Sequence, residues 1–426
     1  MTEDPEQLKQ AVLRKGLFDE AFYEANYGET IPPGEPGVDH FARVGHERGF
    51  APSAAFDPVL HEVLHGPTPP SAWPDRTEAE AFRPVAAELF PALDFQVYFW
   101  AGKQADDLKA NLGQLLANPT RSVELPTARG VYKFRNPASE DVFRSIRKGR
   151  PFAFVRIPHG FWDSCNVVDR VSRDLAADPR ARRLSDARRR ALAIRLLGGR
   201  ERQSGNFGGD YLDTVLDDLA HHPRDETLLT GIAFKGSPTY EDSAFGLGPP
   251  TPHNLERAAT FMRLFSPEDR LYDAMVWKRW AILGGLRELP RALRDKPLIL
   301  VARESFSILA ERLALPQLVM VDIPPIKTQL IRRPVLARIE AAIQDQIDRH
   351  PGQTPVVLFQ AGASLGYWFI RRLRLRFPGV IYLDLGEALS IWCLDKSDLT
   401  LWLQPYFDQI TKATLAPPDP VGADQP

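Results

Sequence analysis

The second part of the chain alternates short apolar runs with stretches of helical spacing. The runs occupy residues 152–157, 228–234, 297–302, 318–322, 355–360 and 380–384. Apolar runs of this length fit strands that are buried on both faces, and strands that alternate with helices form parallel sheets. We therefore predict that residues 141–415 form one α/β domain with a Rossmann-like, mostly parallel sheet.

The first part of the chain lacks this alternation and shows helical spacing instead. Leu8 and Val12 lie on one face of a predicted helix, and Asp19 is placed to cap a second helix over Phe22 and Tyr23. We expect the α/β domain to be preceded by an all-helical N-terminal region.

Proline and glycine mark the expected boundaries. The helical region is predicted over 1–118, with a Pro-rich loop at 67–77. A linker is expected over 119–140 and a disordered tail over 416–426.

Charge and composition exclude several classes of protein. The chain has 426 residues, and 53 Lys and Arg residues nearly balance 55 Asp and Glu residues, so a cationic surface for nucleic acid is not expected. No apolar run is long enough to span a membrane, and the first residues do not read as a signal peptide. Two cysteines provide no disulfide framework, so a cytoplasmic location is predicted.

The first candidate site follows the run at 152–157. Arg156 lies inside this apolar run, where an unpaired charge is costly, so it should pair with a carboxylate or a ligand phosphate. His159 and Gly160 are placed on the exit turn, with Asp163 just beyond. His159 is a candidate base, and Gly160 allows a ligand to approach the backbone. A structural Arg pair beside a loop His is the competing interpretation.

The second candidate site is the small-residue turn after the run at 355–360. Ala361, Gly362, Ala363 and Ser364 precede a predicted helix, whose free amides suit a diphosphate. The same residues match GxSxG, which places Ser364 as the nucleophile of a hydrolase. No His follows in the sequence to complete that order of residues. Tight helix–sheet packing also explains the small residues.

Three further candidate sites rest on weaker sequence patterns. Asp384 ends the last predicted strand, where it serves a ligand or a structural role, and Lys235 follows the second strand within reach of a phosphate. His61, Glu62 and His65 match HExxH, which on a helix places two zinc ligands and a base on one face. A degenerate helical repeat that begins at residue 56 explains the same residues without metal.

Two segments resemble known bacterial families. The N-terminal segment resembles a helical module of bacterial glycosyltransferases, with an FDxxYY start and a close like "HY…G…EGR.PS..FD". Residues that keep this pattern are Phe18, Asp19, Tyr23, His40, Phe41, Gly45, Glu47, Arg48, Gly49, Pro52, Ser53, Phe56 and Asp57. Residues 140–415 resemble GT-D-type glycosyltransferases, whose first strand reads roughly "F(S/A)hxRhGDGE". Here Phe154, Arg156 and Gly160 occupy that stretch, and Asp384 matches a closing "lDhG".

The resemblance implies transfer of a sugar from a nucleotide-sugar donor to a glycan, glycolipid or protein acceptor. Arg156 and the turn at 361–364 would hold the diphosphate, with His159 or Asp163 as base. The family's metal-binding carboxylates are replaced by His159 and Phe161, so an implied Mg²⁺ or Mn²⁺ ion lacks those ligands. Three explanations remain open: a displaced carboxylate supplied by Asp163 or Asp210, metal-independent transfer, and binding without catalysis. The helical module would recruit an acceptor or a partner.

Overall fold

The computed structural model describes residues 4–81, 123–127, 129–198, 210–221, 225–232, 260–274, 276–282, 285–324, 328–362 and 364–393. The chain divides into two compact units. The helical unit comprises residues 1–101, 164–218 and 326–333, and the sheet unit comprises the remaining residues.

In chain order, the described α-helices are α1 (Pro5–Arg14), α2 (Glu20–Tyr27), α3 (Gly37–His40), α4 (Pro58–His65), α5 (Arg76–Ala81), α6 (Ser139–Arg147), α7 (His159–Ala177), α8 (Asp186–Gly198), α9 (Tyr211–Ala220), α10 (Val276–Ile282), α11 (Glu288–Leu293), α12 (Leu309–Arg312), α13 (Arg332–Arg349), α14 (Leu365–Arg376) and α15 (Ser390–Cys393). The strands are β1 (Val123–Thr127), β2 (Gly130–Arg135), β3 (Ala153–Ile157), β4 (Leu228–Ile232), β5 (Leu271–Asp273), β6 (Leu298–Ala302), β7 (Leu318–Asp322), β8 (Val356–Phe359) and β9 (Ile381–Asp384). No helix among the described residues combines the length and apolar character needed to cross a membrane.

Aromatic side chains form the core of the helical unit. The ring of Tyr27 stacks on that of Phe50 with centroids 4.1 Å apart, and Tyr23 meets Phe41 edge-on at 5.9 Å. The Tyr23 hydroxyl lies 3.0 Å from Nδ1 of His40, which satisfies two buried polar groups. The aromatic residues of the N-terminal motif are therefore core residues that hold short helices together.

Two Phe-Asp pairs begin helices in the same way. Asp19 accepts a hydrogen bond from the Phe22 amide at 2.9 Å, and Asp57 accepts one from the Val59 amide at 2.9 Å. Their backbone angles are also alike, with φ −129° and ψ 106° at Asp19 and φ −124° and ψ 105° at Asp57. The expected cap at Asp19 is confirmed, and the second Phe-Asp pair repeats its local geometry.

Helix α8 is rich in arginine, and several of its arginines are partnered within the helical unit. Arg190 lies between Asp169 at 2.7 Å and Asp213 at 2.8 Å, and Arg195 pairs with Asp57. These contacts tie α8 to neighbouring helices. These arginines of α8 therefore contribute to contacts within the helical unit and are not simply a solvated charged surface.

A buried arginine, Arg332, holds the segment 328–333 within the helical unit. Arg332, which is 1% exposed, donates from Nη2 to Oδ1 of Asp210 at 2.6 Å and from Nε to Oε1 of Glu29 at 3.0 Å. Burial raises the pKa of Asp210 to about 6, although the positive charge of Arg332 acts to lower it. Residues far apart in sequence thus form one buried ion network.

The sheet unit is built on one mixed sheet with a long parallel part. The strand order is β1-β2-β5-β4-β3-β9-β8-β6-β7, and each neighbouring pair from β2 to β7 in this order is parallel. Only β1, at the edge, pairs antiparallel among the described strands. The α/β class with a mostly parallel sheet is confirmed.

The central strands are buried on both faces. On one face, alternate residues such as Leu298, Leu300 and Leu358 belong to one buried hydrophobic cluster that also contains Trp277 and Trp280 of α10. The alternate residues of the same strands are also fully buried, which is why these strands read as continuous apolar runs.

Three strands were not predicted from the sequence pattern. β1 and β2 lie inside the expected linker at 119–140, and β5 is only three residues long. In β2, buried Tyr132 and Phe134 alternate with exposed residues, so no apolar run marks it. The domain division also differs from expectation, because residues 164–218 belong to the helical unit. The expected tail at 416–426 and residues 82–118 of the expected helical region lie outside the described residues.

Candidate functional site

The carboxyl ends of β3, β9 and β8 lie side by side in the sheet. Arg156 is near the end of β3, Asp384 ends β9, and Ser364 follows the turn after β8. Ligands of open α/β sheets bind outside the carboxyl ends of the strands. The fold therefore brings together, at that edge, side chains that the sequence separates by more than two hundred positions.

Arg156 is partnered within the sheet unit. Arg156 is 6% exposed, and its Nε donates to the carbonyl oxygen of Ala274 at 2.9 Å. Nη1 lies 4.0 Å from Oδ1 of Asp384, at the limit of an ion pair. The expected carboxylate partner is thus present, and the guanidinium is held by protein groups on two sides.

Asp384 is buried against the start of α14. Burial raises its pKa to about 6, while the charge of Arg156 and hydrogen bonds from the main-chain amides of Arg156 and Gly386 act to lower it. A Cβ atom on Gly366 would lie 2.7 Å from Oδ2 of Asp384, so this carboxylate needs a glycine in the first turn of α14. Asp384 therefore links β3, β9 and α14.

The turn after β8 has the strand–turn–helix form that the sequence predicts. Gly362 is exposed with φ +85°, and Ser364 has φ +54°, which is uncommon for a residue with a side chain. A left-handed serine in this setting agrees with the nucleophile-elbow pattern. However, Ser364 is 0% exposed, so its hydroxyl is closed to a substrate in this conformation. Ala361 is nearly buried, and Ala363 lies outside the described residues.

The expected exit turn after β3 is shorter than predicted. Only Pro158 separates β3 from α7, which begins at His159, and the Phe161 amide donates to the Pro158 carbonyl at 3.0 Å. Proline suits the start of a helix because its missing N–H needs no partner there. His159 and Gly160 therefore lie in the first turn of a helix. The side chains of His159 and Asp163, and the whole of Lys235, fall outside the described part of the structure.

Sequence reasoning did not single out Arg303 as a site residue. The chain leaves β6 toward β7 on one side and leaves β8 toward β9 on the other, so the crossover direction reverses between β6 and β8. Arg303 directly follows β6, and the Gln360 amide donates to the Val301 carbonyl at 2.9 Å, which holds the two strand ends together. The sequence showed that Arg303 follows a strand, but it did not show that this strand lies beside β8.

The HExxH segment forms a helix without a metal-binding set. The His61 and His65 rings lie on one side of α4 with centroids 4.7 Å apart, while Glu62 pairs with Arg188 at 2.8 Å. Within the part of the chain that the structure describes, no group of three or more His, Cys, Asp or Glu residues is placed to hold a metal ion. The structure therefore gives the zinc hypothesis no third ligand.

Comparison with known protein families, with curated proteins and with solved structures finds no match for this chain.

Proposed function

We propose that the sheet unit binds a nucleoside diphosphate sugar at the carboxyl edge of its sheet and transfers the sugar to a hydroxyl group of a glycan, glycolipid or protein. The observation that carries the proposal is the convergence of Arg156, Asp384 and the 361–364 turn on adjacent strand ends. This is the edge at which open α/β sheets bind nucleotides.

The diphosphate is assigned to the position between the ends of β6 and β8. Arg303 supplies a cation there, and the backbone amides around the exposed Gly362 supply hydrogen-bond donors. Arg156 is engaged by Ala274 and Asp384, so we assign it the role of shaping the edge and adding positive potential.

The transfer step forms a bond between the acceptor oxygen and the anomeric carbon and breaks the bond from that carbon to the diphosphate oxygen. The acceptor proton passes to a base, for which His159 or Asp163 in the first turns of α7 are the candidates. The diphosphate leaves with the bonding electron pair, and Arg303 offsets the charge that develops on it.

A metal ion held by the family's two carboxylates does not fit this chain. The corresponding positions are His159 and Phe161, and Phe161 is completely buried. We therefore propose that cationic side chains and backbone amides take over the neutralisation of the diphosphate, as the known strength of such preorganised groups allows.

The test is a donor screen on the purified full chain. Thermal shifts are measured with UDP-, GDP- and dTDP-sugars, with and without Mn²⁺, and transfer is then assayed with the stabilising donors. Arg303→Gln should weaken the stabilisation, whereas the matched Arg150→Gln should not, because Arg150 is exposed and precedes β3 at the opposite edge. If no nucleotide-sugar stabilises the protein, or if both variants behave alike, the proposal is wrong.

A second candidate function is binding without transfer, as part of a glycan-assembly complex. The replacement of both family carboxylates by His159 and Phe161 favours it. Donor stabilisation without transfer to any acceptor tested, unaffected by His159→Ala, would select this alternative.

A further inference from the structure

The carboxyl end of β7 carries a carboxylate that the proposed transfer step does not use. Asp322 is the last residue of β7, and it is exposed although Val321 and Ile323 on either side of it are buried. Within the described part of the chain, no hydrogen bond or ion pair engages its side chain. The carboxylate is therefore open to a ligand that approaches from solvent.

The sheet places Asp322 beside the exit of β6. Asp322 is the register partner of Ala302, and the Ile323 amide donates to the Ala302 carbonyl at 3.0 Å. Arg303, to which the diphosphate is assigned, directly follows Ala302 on that neighbouring strand. Neighbouring strands lie about 4.8 Å apart, a distance that one ribose ring bridges. The carboxylate and the arginine can thus contact adjacent parts of one nucleotide.

Arg303 and Asp322 are separate charges and do not form an ion pair. The Arg303 guanidinium lies 5.6 Å from the centroid of the buried Phe306 ring, and no carboxylate among the described residues pairs with it. Glu304, the next residue along the chain, is a second exposed carboxylate near this position. An experiment on Asp322 must therefore distinguish the two carboxylates.

The strand order gives a bound nucleotide a direction. The diphosphate position lies between β6 and β8, and the candidate bases His159 and Asp163 lie at the start of α7, on the side of β9 and β3. The sugar to be transferred must face these bases, so the nucleoside extends the other way, toward β7. On that side the carboxylate of Asp322 can accept hydrogen bonds from hydroxyl groups, whereas it repels a further phosphate.

We propose that Asp322 accepts a hydrogen bond from the ribose 2′-hydroxyl and makes the site selective for ribonucleoside over 2′-deoxyribonucleoside diphosphates. This inference rests on the proposed function, because it uses the diphosphate position assigned to Arg303. A site that positions an acceptor for a hydroxyl loses affinity for the analogue that lacks this hydroxyl. Sugars carried on dTDP, which lacks the 2′-hydroxyl, are then poorer donors than sugars carried on UDP or GDP.

The experiment is isothermal titration calorimetry on the full chain with UDP, 2′-deoxy-UDP, GDP, 2′-deoxy-GDP and inorganic pyrophosphate. The measured quantity is the ratio of the Kd of each deoxy form to the Kd of its ribo form, because a general change of charge cancels in this ratio. We expect a ratio of roughly ten for the natural chain, since a hydrogen bond to a charged acceptor is lost. Asp322→Ala should bring the ratio close to unity without weakening the binding of pyrophosphate.

Two alanine variants are the controls. Asp295→Ala removes an exposed carboxylate that precedes β6 at the opposite edge of the sheet, and Glu304→Ala removes the exposed carboxylate next to Arg303. Both should keep the ratio of the natural chain. Because all three carboxylates are exposed, their removal should leave the melting temperature nearly unchanged.

Several results would overturn the inference. A ratio close to unity for the natural chain would show that the 2′-hydroxyl is not recognised. A ratio that Asp322→Ala preserves, or that Glu304→Ala abolishes instead, would place the acceptor elsewhere. These results leave the proposed function intact as long as Arg303→Gln weakens the binding of every probe. If neither UDP nor GDP binds the natural chain, the proposed function fails, and the inference fails with it.

Discussion

The Asp384 carboxylate faces the Arg156 guanidinium at 4.0 Å, and its pKa is nevertheless raised to about 6. Complete burial disfavours the charged carboxylate more than one arginine at this distance favours it. In the unfolded chain the same group loses its proton near pH 4. Between these two values the folded protein therefore binds a proton that the unfolded chain has released.

The first prediction is a loss of stability as the pH rises through this window. A raised carboxyl pKa makes the unfolding free energy fall between about pH 4 and pH 6, with a slope of up to about 1.4 kcal/mol per pH unit. Asp384→Asn does not titrate. We expect the stability of the natural chain relative to this variant to fall by about 2–3 kcal/mol over this window.

Urea unfolding at a series of pH values measures this difference. Taking the difference between the two proteins cancels the other carboxyl groups, including Asp210, whose pKa is also raised. If the two stability curves run parallel from pH 4 to pH 7, Asp384 is ionised in the folded protein at its ordinary pKa and the description of its site is wrong.

The second prediction concerns Gly386, which has φ +51° and approaches Arg156 closely. A Cβ atom there would lie 1.6 Å from Nη1 of Arg156, so Gly386→Ala must displace the guanidinium from its partners. Gly352→Ala is the matched control, since Gly352 has φ +81° and open space around a Cβ atom.

Both alanine variants bear the cost of a left-handed backbone, about 1–2 kcal/mol. Gly386→Ala should lose a further 1–3 kcal/mol or so, because it disturbs buried hydrogen bonds. Chemical denaturation of the two variants checks the ranking. Equal losses would mean that Arg156 moves aside freely.

The parallel sheet could be predicted because its central strands are buried on both faces. The strands that were missed lack this two-sided burial or are too short to show it. β6 and β8 are buried on both faces, so each stands out as an apolar run in the sequence. β2 buries only Tyr132 and Phe134 on one side, and β5 is too short to show a period. The assignment of residues 164–218 to the helical unit depends on long-range packing, which local patterns do not encode.

One feature of the candidate site could be predicted from the energetic cost of burying a charge. A charge inside an apolar strand requires a partner, which predicted that Arg156 would be paired. The sequence did not identify Asp384 as that partner, because strand order decides which ends are neighbours. The role that we propose for Arg303 was not anticipated for the same reason, since β6 becomes the neighbour of β8 only in the folded sheet.

The third prediction concerns the buried network of Arg332, Asp210 and Glu29. Arg332→Met keeps most of the side-chain volume but leaves two carboxylates without their cation. Breaking a buried pair by removing one partner typically costs about 3–5 kcal/mol. Arg338→Met, on the exposed side of α13, should change stability by less than about 0.5 kcal/mol.

Denaturant unfolding at pH 7 and pH 5 distinguishes this network from simple packing. At pH 5 Asp210 binds a proton more readily, so the loss in Arg332→Met should be smaller than at pH 7. A loss that is the same at both pH values would assign the effect to packing alone.

The fourth prediction compares the two caps of the helical unit. Asp19→Ala removes the acceptor of the Phe22 amide and should cost about 1 kcal/mol, while Asp19→Ser should retain most of the stability. Asp57→Ala should cost more than Asp19→Ala, because Asp57 caps α4 and also pairs with Arg195. Asp57→Ser restores the cap without the charge, so it should recover only part of the loss. Thermal unfolding of the four variants measures these differences, and full recovery by Asp57→Ser would show that the pair with Arg195 adds nothing.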